Sequence, residues 1–366
     1  MIGICDTQTD NINYEELYGK LCKDFSILTK KYEKAKSELS FVLWNKTTLM
    51  NGDFIPHACD KEILKEYKIG GLLGEGRYAK VKEVEKINKC NTGKPGKTYA
   101  VKMIDKTKIN RYKQLERIAD EITILKSLNH NNIIKVEEVL NIDDILYIFT
   151  DKGECDLFEL LDKTILNSGT IRIIMKQIIS SIKFLDLNNI MHRDIKPENI
   201  ICNNILELID NKPVACRNYI KLIDFGLAVK FRRLPDINSN NFNKDELRKN
   251  TFCGSPGFFA PEMLGDNGYD SKVDIWSSCC VLLEMLLTNS NFSKLWMPAY
   301  DPTQLTDRNV FMKGVNNCLR LSLMEAANIS IDKTLNKILF NGLVVDPDNR
   351  RWIYKDISYE EENPID

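Results

Sequence analysis

The chain of 366 residues is poor in the side chains that announce a metal centre or a stapled secreted fold. It has only three histidines, and its eleven cysteines, an odd number, include no Cys-x-x-Cys pair. A zinc site and a disulfide framework are therefore not expected, and a reducing compartment, cytoplasm or nucleus, fits best. Charge bias is absent too. With 51 basic and 52 acidic residues, the molecule as a whole attracts neither nucleic acid nor an anionic membrane, and no partner of either kind is expected. No long apolar run occurs: the longest, CCVLLEMLL at 279–287, is broken by Glu284 and is too short to span a bilayer. The start, MIGICDTQTD, lacks a basic segment ahead of an apolar core, residue 2 is Ile2 rather than glycine, and the end NPID is not a prenylation box. No membrane anchor is expected.

What is present is an ordinary globular composition, 43% hydrophobic and 28% charged. Residues 1–13 read as a disordered tail and residues 14–44 as an amphipathic helix. There Tyr14, Tyr18, Leu21, Phe25, Leu28, Tyr32, Ala35, Leu39 and Val42 alternate in steps of four and three over about four heptads. Gly19 should cost this helix about 1 kcal/mol relative to alanine. Two uses of the apolar stripe stand open: a coiled coil that pairs two copies, and packing on the chain's own globular body. Residues 45–66 read as a linker, and 360–366 as a second tail.

From Tyr67 short β-rich runs follow: YKIGGLL, AKVKEVEKI, TYAVKMID, IIKVEEVL and ILYIFTD. QLERIADEITILKSL interrupts them with Leu115, Ile118, Ile122 and Leu125 on one helical face. A small sheet carrying one helix is implied. After Asp151 the pattern turns helical, with TIRIIMKQIISSIKFLDL repeating at three and four and KVDIWSSCCVLLEMLL apolar nearly all round, as in a buried helix. The asparagine-rich RRLPDINSNNFNKDELRKN has no period and reads as a surface loop.

Chemistry concentrates at a few places. Gly74 and Gly76 stand between two strand patterns, where glycine lets backbone approach phosphate oxygens; alone they would more readily be read as a tight hairpin. Lys102 ends an apolar alternation that would turn its charge inward, so it needs an anionic partner, and Glu121 on the apolar-striped helix is the natural one. MHRDIKPENI, at 191–200, then sets an acid, bases and an amide on one short loop.

Taken together, GEGRYAKV, YAVK, Glu121, HRDIKPEN, DFG, APE, DIWS and DPDNRR occur in the order and spacing of a eukaryotic protein kinase, which the chain resembles over 67–359, about four fifths of its length. The resemblance implies an α+β, bilobal fold: a β-rich N-lobe with one main helix (67–151) and a larger, mostly helical C-lobe (152–359). It implies ATP and Mg2+ as cofactors. Asp194 would accept or orient the proton of the acceptor hydroxyl, Lys196 would neutralise the transferring group, Lys102 and Glu121 would hold the phosphates, and Asn199 with Asp224 would hold the metal. Val81 and Ala100 would cover adenine, Thr150 would guard the back of the pocket, Asp151 and Gly153 would offer backbone groups, and Asp156 would reach ribose or a basic substrate residue. This hinge is one residue shorter than the common pattern. His192, with Leu125 and Phe225, would pack between the lobes, Glu262 and Arg350 would pair in the lower lobe, and Asp274 would anchor the catalytic loop. Ala79 replaces the usual third glycine, and Cys279 a glycine after DIWS.

Lys196 and the turn CGSPGFFAPE, with Ser255 before the proline, resemble serine/threonine kinases, most closely the calcium/calmodulin-regulated and AMP-activated group. The substrates implied are proteins, with basic residues before the acceptor because Glu198 and Asp156 put two carboxylates along the groove. Thr251, four residues before Ser255, stands where the family is activated by an upstream kinase, and Arg193 is expected to be an unpaired guanidinium until a phosphate arrives. The rival readings are a pseudokinase scaffold that binds partners through the fold and N-terminal helix, and a lipid or small-molecule kinase. Intact Lys102, Asp194, Asn199 and Asp224 weigh against the first, and the peptide-docking CGSP…APE segment against the second.

Overall fold

The structure is a computed structural model that describes residues 61–76, 78–87, 96–109, 111–209, 217–231, 251–265 and 267–351, together with residues 20, 23, 25–32 and 35. The two tails, most of the 14–44 segment, residues 45–60 and the asparagine-rich loop at 232–250 lie outside the described residues.

Alternating apolar residues build the upper lobe as the sequence implies. Strands β1 (Tyr67–Glu75), β2 (Ala79–Lys86), β3 (Thr98–Asp105), β4 (Val136–Ile142) and β5 (Ile145–Asp151) form one antiparallel sheet of order β1-β2-β3-β5-β4. The period of two sends alternate residues to opposite faces. On β5, Leu146 and Ile148 join the cluster of Ile104, Leu115, Ile118 and Ile122, while Tyr147 and Phe149 join Tyr67, Val84 and Val101 on the other side. Helix α2 (Tyr112–Ser127) contributes Leu115, Ile118 and Ile122 to the first face; α1 is the helical segment that includes residues 25–32. The second face is met by Ile63 and Leu64 of a short 3-10 turn, Lys61–Glu66. The last six residues of the expected linker thus belong to the upper lobe, because the outer face of the sheet would otherwise leave apolar area in water.

The lower lobe holds β6 (Cys155–Asp156), α3 (Leu157–Lys163), α4 (Ser168–Leu187), β7 (Ile190–Met191), β8 (Ile200–Cys202), α5 (Ile205–Ile209), β9 (Ile220–Leu222), β10 (Val229–Lys230), α6 (Lys272–Leu295), α7 (Arg308–Ile329) and α8 (Lys333–Gly342). Every residue from Val273 to Leu287 is buried, as an all-round apolar helix requires. Cys279 fits this core because α8 comes close without a side chain: a Cβ added at Gly342 would lie 2.1 Å from the Cys279 sulfur. Two small sheets, β6-β8-β9 and β7-β10, carry the loops of the cleft on this helical base.

Candidate active site

The loop between β7 and β8 is held from below. Asp274 of α6 accepts the backbone N–H groups of His192 and Arg193 at 2.7 and 2.8 Å, which fixes Arg193 in the left-handed region at φ 69°. A non-glycine residue keeps such a conformation only when its surroundings over-determine it. His192 is fully buried, edge-to-face with Phe225 at 4.7 Å, with Nε2 3.0 Å from the Ile223 carbonyl. It is satisfied in the core. On this base Asp194 collects donors: Asn199 Nδ2 at 2.9 Å, the Ser255 hydroxyl at 2.8 Å, and Lys196 Nζ at 3.6 Å. Lys196 also donates to Ser255 Oγ at 2.8 Å.

Across the cleft, Lys102 Nζ lies 2.6 Å from Glu121 and 3.9 Å from Asp224. Burial opposes its charge, but the two carboxylates outweigh burial and raise the ammonium above its ordinary value. For Asp224 burial again opposes ionisation, and Lys102 with the Gly226 N–H lowers the carboxyl below its usual range. Both groups therefore stay charged at neutral pH. With both Nδ2 contacts of Asn199 spent on the Asp194 carbonyl and carboxylate, the atom of Asn199 that can ligate a cation is Oδ1. Among the described residues no cluster of three or more His, Cys, Asp or Glu could hold an ion alone. One carboxylate and one amide oxygen suit Mg2+, which keeps waters and takes further oxygens from phosphates.

The register brings Val81, Ala100, Lys102 and Thr150 onto one face of the sheet: Val81 opposes Lys102, and Ala100 opposes Thr150. The turn between β1 and β2, with Gly74 and Gly76, is closed by the Gly76 N–H bond to the Ala79 carbonyl at 2.8 Å. Nothing lies within 4 Å of a Cβ added at Gly74. The hinge passes tightly over β8. A Cβ added at Gly153 would lie 2.6 Å from Ile201 Cβ, so this position needs glycine for close approach, and Ile201 floors the hinge. Asp156 accepts the Glu159 N–H at 2.8 Å as the N-cap of α3, and burial raises its carboxyl above the usual range.

Comparison with known families adds the deciding observation: residues 67–356 match the protein kinase domain. The chain belongs to the protein kinase family. Among similar proteins are the CBL-interacting serine/threonine-protein kinases 19 and 18 of Arabidopsis thaliana. The first is 30% identical over 81% of this chain and 52% of its own length, the second 34% over 70% and 44%. Serine/threonine-protein kinase cds1 of Schizosaccharomyces pombe is 35% identical over 62% of the chain and 46% of its own length. The chain spans about half the length of the curated relatives it matches.

The kinase domain also contains contacts that motif reading missed. Ser255 bridges the catalytic loop to the segment after Thr251, a link that only tertiary proximity reveals. Glu284, 5% exposed, has an Oε2 with no hydrogen-bond partner among the described residues; burial and then Glu198 push its carboxyl up to about 7. Arg193 is not an unpaired guanidinium: Nε donates to the Leu227 carbonyl at 2.7 Å and Nη1 to the Tyr269 hydroxyl at 3.0 Å. Tyr269 in turn donates to the Thr251 carbonyl at 2.5 Å, while Thr251 itself is exposed. The fold supplies these partners from residues 34 and 76 positions away.

Proposed function

We propose that this chain is an ATP-dependent serine/threonine protein kinase that transfers the γ-phosphoryl group to hydroxyls of protein substrates. The observation that carries the reading is the carboxylate of Asp194, oriented by Asn199 and Ser255 beside Lys196, opposite a charged Lys102 paired with Glu121. Asp194 takes the hydroxyl proton as the oxygen attacks, and Lys196 neutralises charge on the transferring group. Lys102 holds the nucleotide's phosphates, and the backbone of Asp151 and Gly153 meets adenine beneath Val81 and Ala100, with Thr150 behind. Asn199 and Asp224 would hold Mg2+, which would supply neutralisation of the phosphates' negative charge.

Three finer readings follow. Substrates carry arginine or lysine two to three residues before the acceptor, drawn by Glu198 and by Asp156, one of whose carboxylate oxygens caps α3, with Glu284, whose Oε2 has no hydrogen-bond partner among the described residues, as a third carboxylate. An upstream kinase acts on exposed Thr251, whose phosphate would compete with Tyr269 and the Leu227 carbonyl for Arg193. Residues 14–42 pair two copies: in the described part of α1, Phe25, Leu28 and Tyr32 are 71%, 66% and 65% exposed, so these three stripe residues are free to meet a second copy.

The test is phosphorylation of a degenerate peptide library by the purified chain with labelled ATP. Wild type should label serine and threonine in basic contexts, and Asp194→Asn should abolish labelling while nucleotide binding survives. Near-normal turnover by Asp194→Asn would remove the catalytic assignment, and a wild type that binds ATP without transfer would favour the scaffold reading.

A further inference from the structure

Beneath the hinge lies an ion pair that none of these roles uses. The carboxylate of Asp151, the last residue of β5, meets Lys221 Nζ of β9 at 2.5 Å, with side chains 21% and 23% exposed. Its two ends belong to different lobes. Asp151 is in register with Tyr99 of β3 in the upper sheet, and Lys221 with Ile201 of β8 in the lower one, three positions before Asp224.

Strand β9 cannot follow the hinge freely, because its other edge and its buried face are fixed. Asn132, in the loop after α2, accepts the Leu222 N–H at 2.9 Å and donates Nδ2 to the Ile220 carbonyl at 3.0 Å. Gln177 of α4 accepts the N–H groups of Tyr219 and Ile220 at 2.9 and 3.1 Å. Ile220 and Leu222 are buried in the core, and the alternation of the strand sends Lys221 to the opposite side. The ammonium is thus tied to the strand that leads to Asp224, and the hinge is the element it holds. The pair is present together with the assembled Lys102–Glu121 and Lys102–Asp224 contacts.

We propose that Lys221 is a positioning residue for ATP: through Asp151 it locks the hinge backbone that meets adenine to the strand that sets Asp224 against the phosphates. The proposal rests on reading the cleft as an ATP site. Loss of the pair leaves both ends of the nucleotide with contacts but no longer in fixed relation.

The experiment measures kcat, KM for ATP and KM for peptide on the full chain, alongside the Kd for ATP with Mg2+ by titration calorimetry. Lys221→Met should raise the ATP KM and Kd about fivefold, the scale of a partly screened ion pair, and leave the peptide KM unchanged. Lys221→Arg should restore the ATP values. A merely structural lysine would behave otherwise, lowering the active fraction and hence kcat with both KM values intact. If Lys221→Met does not fold, Asp151→Asn removes the pair from the other end and should show the same selective loss. An unchanged ATP Kd, a gain in turnover, or failure of arginine to rescue overturns the proposal. A wild type that binds ATP without phosphorylating peptide would remove the kinase reading, yet the Kd comparison would still decide the role of Lys221.

Discussion

Glu284 is legible in the sequence only as a charge that breaks an apolar run, yet in the fold it is a buried carboxylate whose Oε2 has no hydrogen-bond partner among the described residues. Its folded pKa, about 7, lies above the ordinary glutamate value because burial, reinforced by Glu198, disfavours the anion. The sign follows: stability from the protonated form is fully present below the unfolded pKa and is lost as pH rises towards 7, where the anion becomes available to a cationic ligand. Under the proposed substrate preference, peptides with arginine before the acceptor should therefore show a KM that falls between about pH 6 and pH 8. Glu284→Gln, or alanine in place of that arginine, should flatten the profile. A profile unchanged by Glu284→Gln would place the basic residue elsewhere. Ser255 tells a similar story, since its place in a Ser-Pro turn is visible locally, whereas its bonds to Asp194 and Lys196 join residues 61 and 59 positions apart.

At the scale of elements, periodicity is a good guide wherever a face is buried. Leu115, Ile118, Ile122 and Leu125 of α2 are all buried, as their spacing requires. It is silent about residues 61–66, since six residues in a 3-10 turn are too few to show a period. The segment after Thr251 is tied down without phosphate, through Tyr269 and the aromatic contact of Phe252 with Phe259 at 5.1 Å. Phosphorylation should thus act by re-aiming Arg193 within an existing network. Peptide turnover by wild type, with occupancy at Thr251 established by mass spectrometry, should exceed that of Thr251→Ala; equal turnover would remove this control. For α1, light scattering of the full chain should report a dimer that becomes a monomer when residues 1–46 are deleted. A full-length monomer at tens of micromolar would favour packing of the helix on the chain's own body.

For the whole molecule, the family motifs disclose the bilobal plan, but not the ties that hold the lobes in relation, because the Asn132–Ile220 and Lys221–Asp151 contacts join residues 88 and 70 positions apart across the junction. The lower lobe has its own clamp. Arg350, with its side chain fully buried, donates to both oxygens of Glu262 at 2.6 and 3.0 Å and to the carbonyls of Lys272 and Val344. Arg350→Met should cost about 3–5 kcal/mol, because the carboxylate is left largely buried without its partner. Urea denaturation should show a lower midpoint, and an unchanged midpoint would mean that the pair carries no net stability. The clamp also has an order in time. Glu262 precedes Arg350 by 88 positions, so on the ribosome its carboxylate emerges while α6, α7 and α8 are still to be made. Until residue 350 is free, Glu262 has no Arg350 to pair with, so the lower lobe gains this clamp only after nearly all of it has been synthesised.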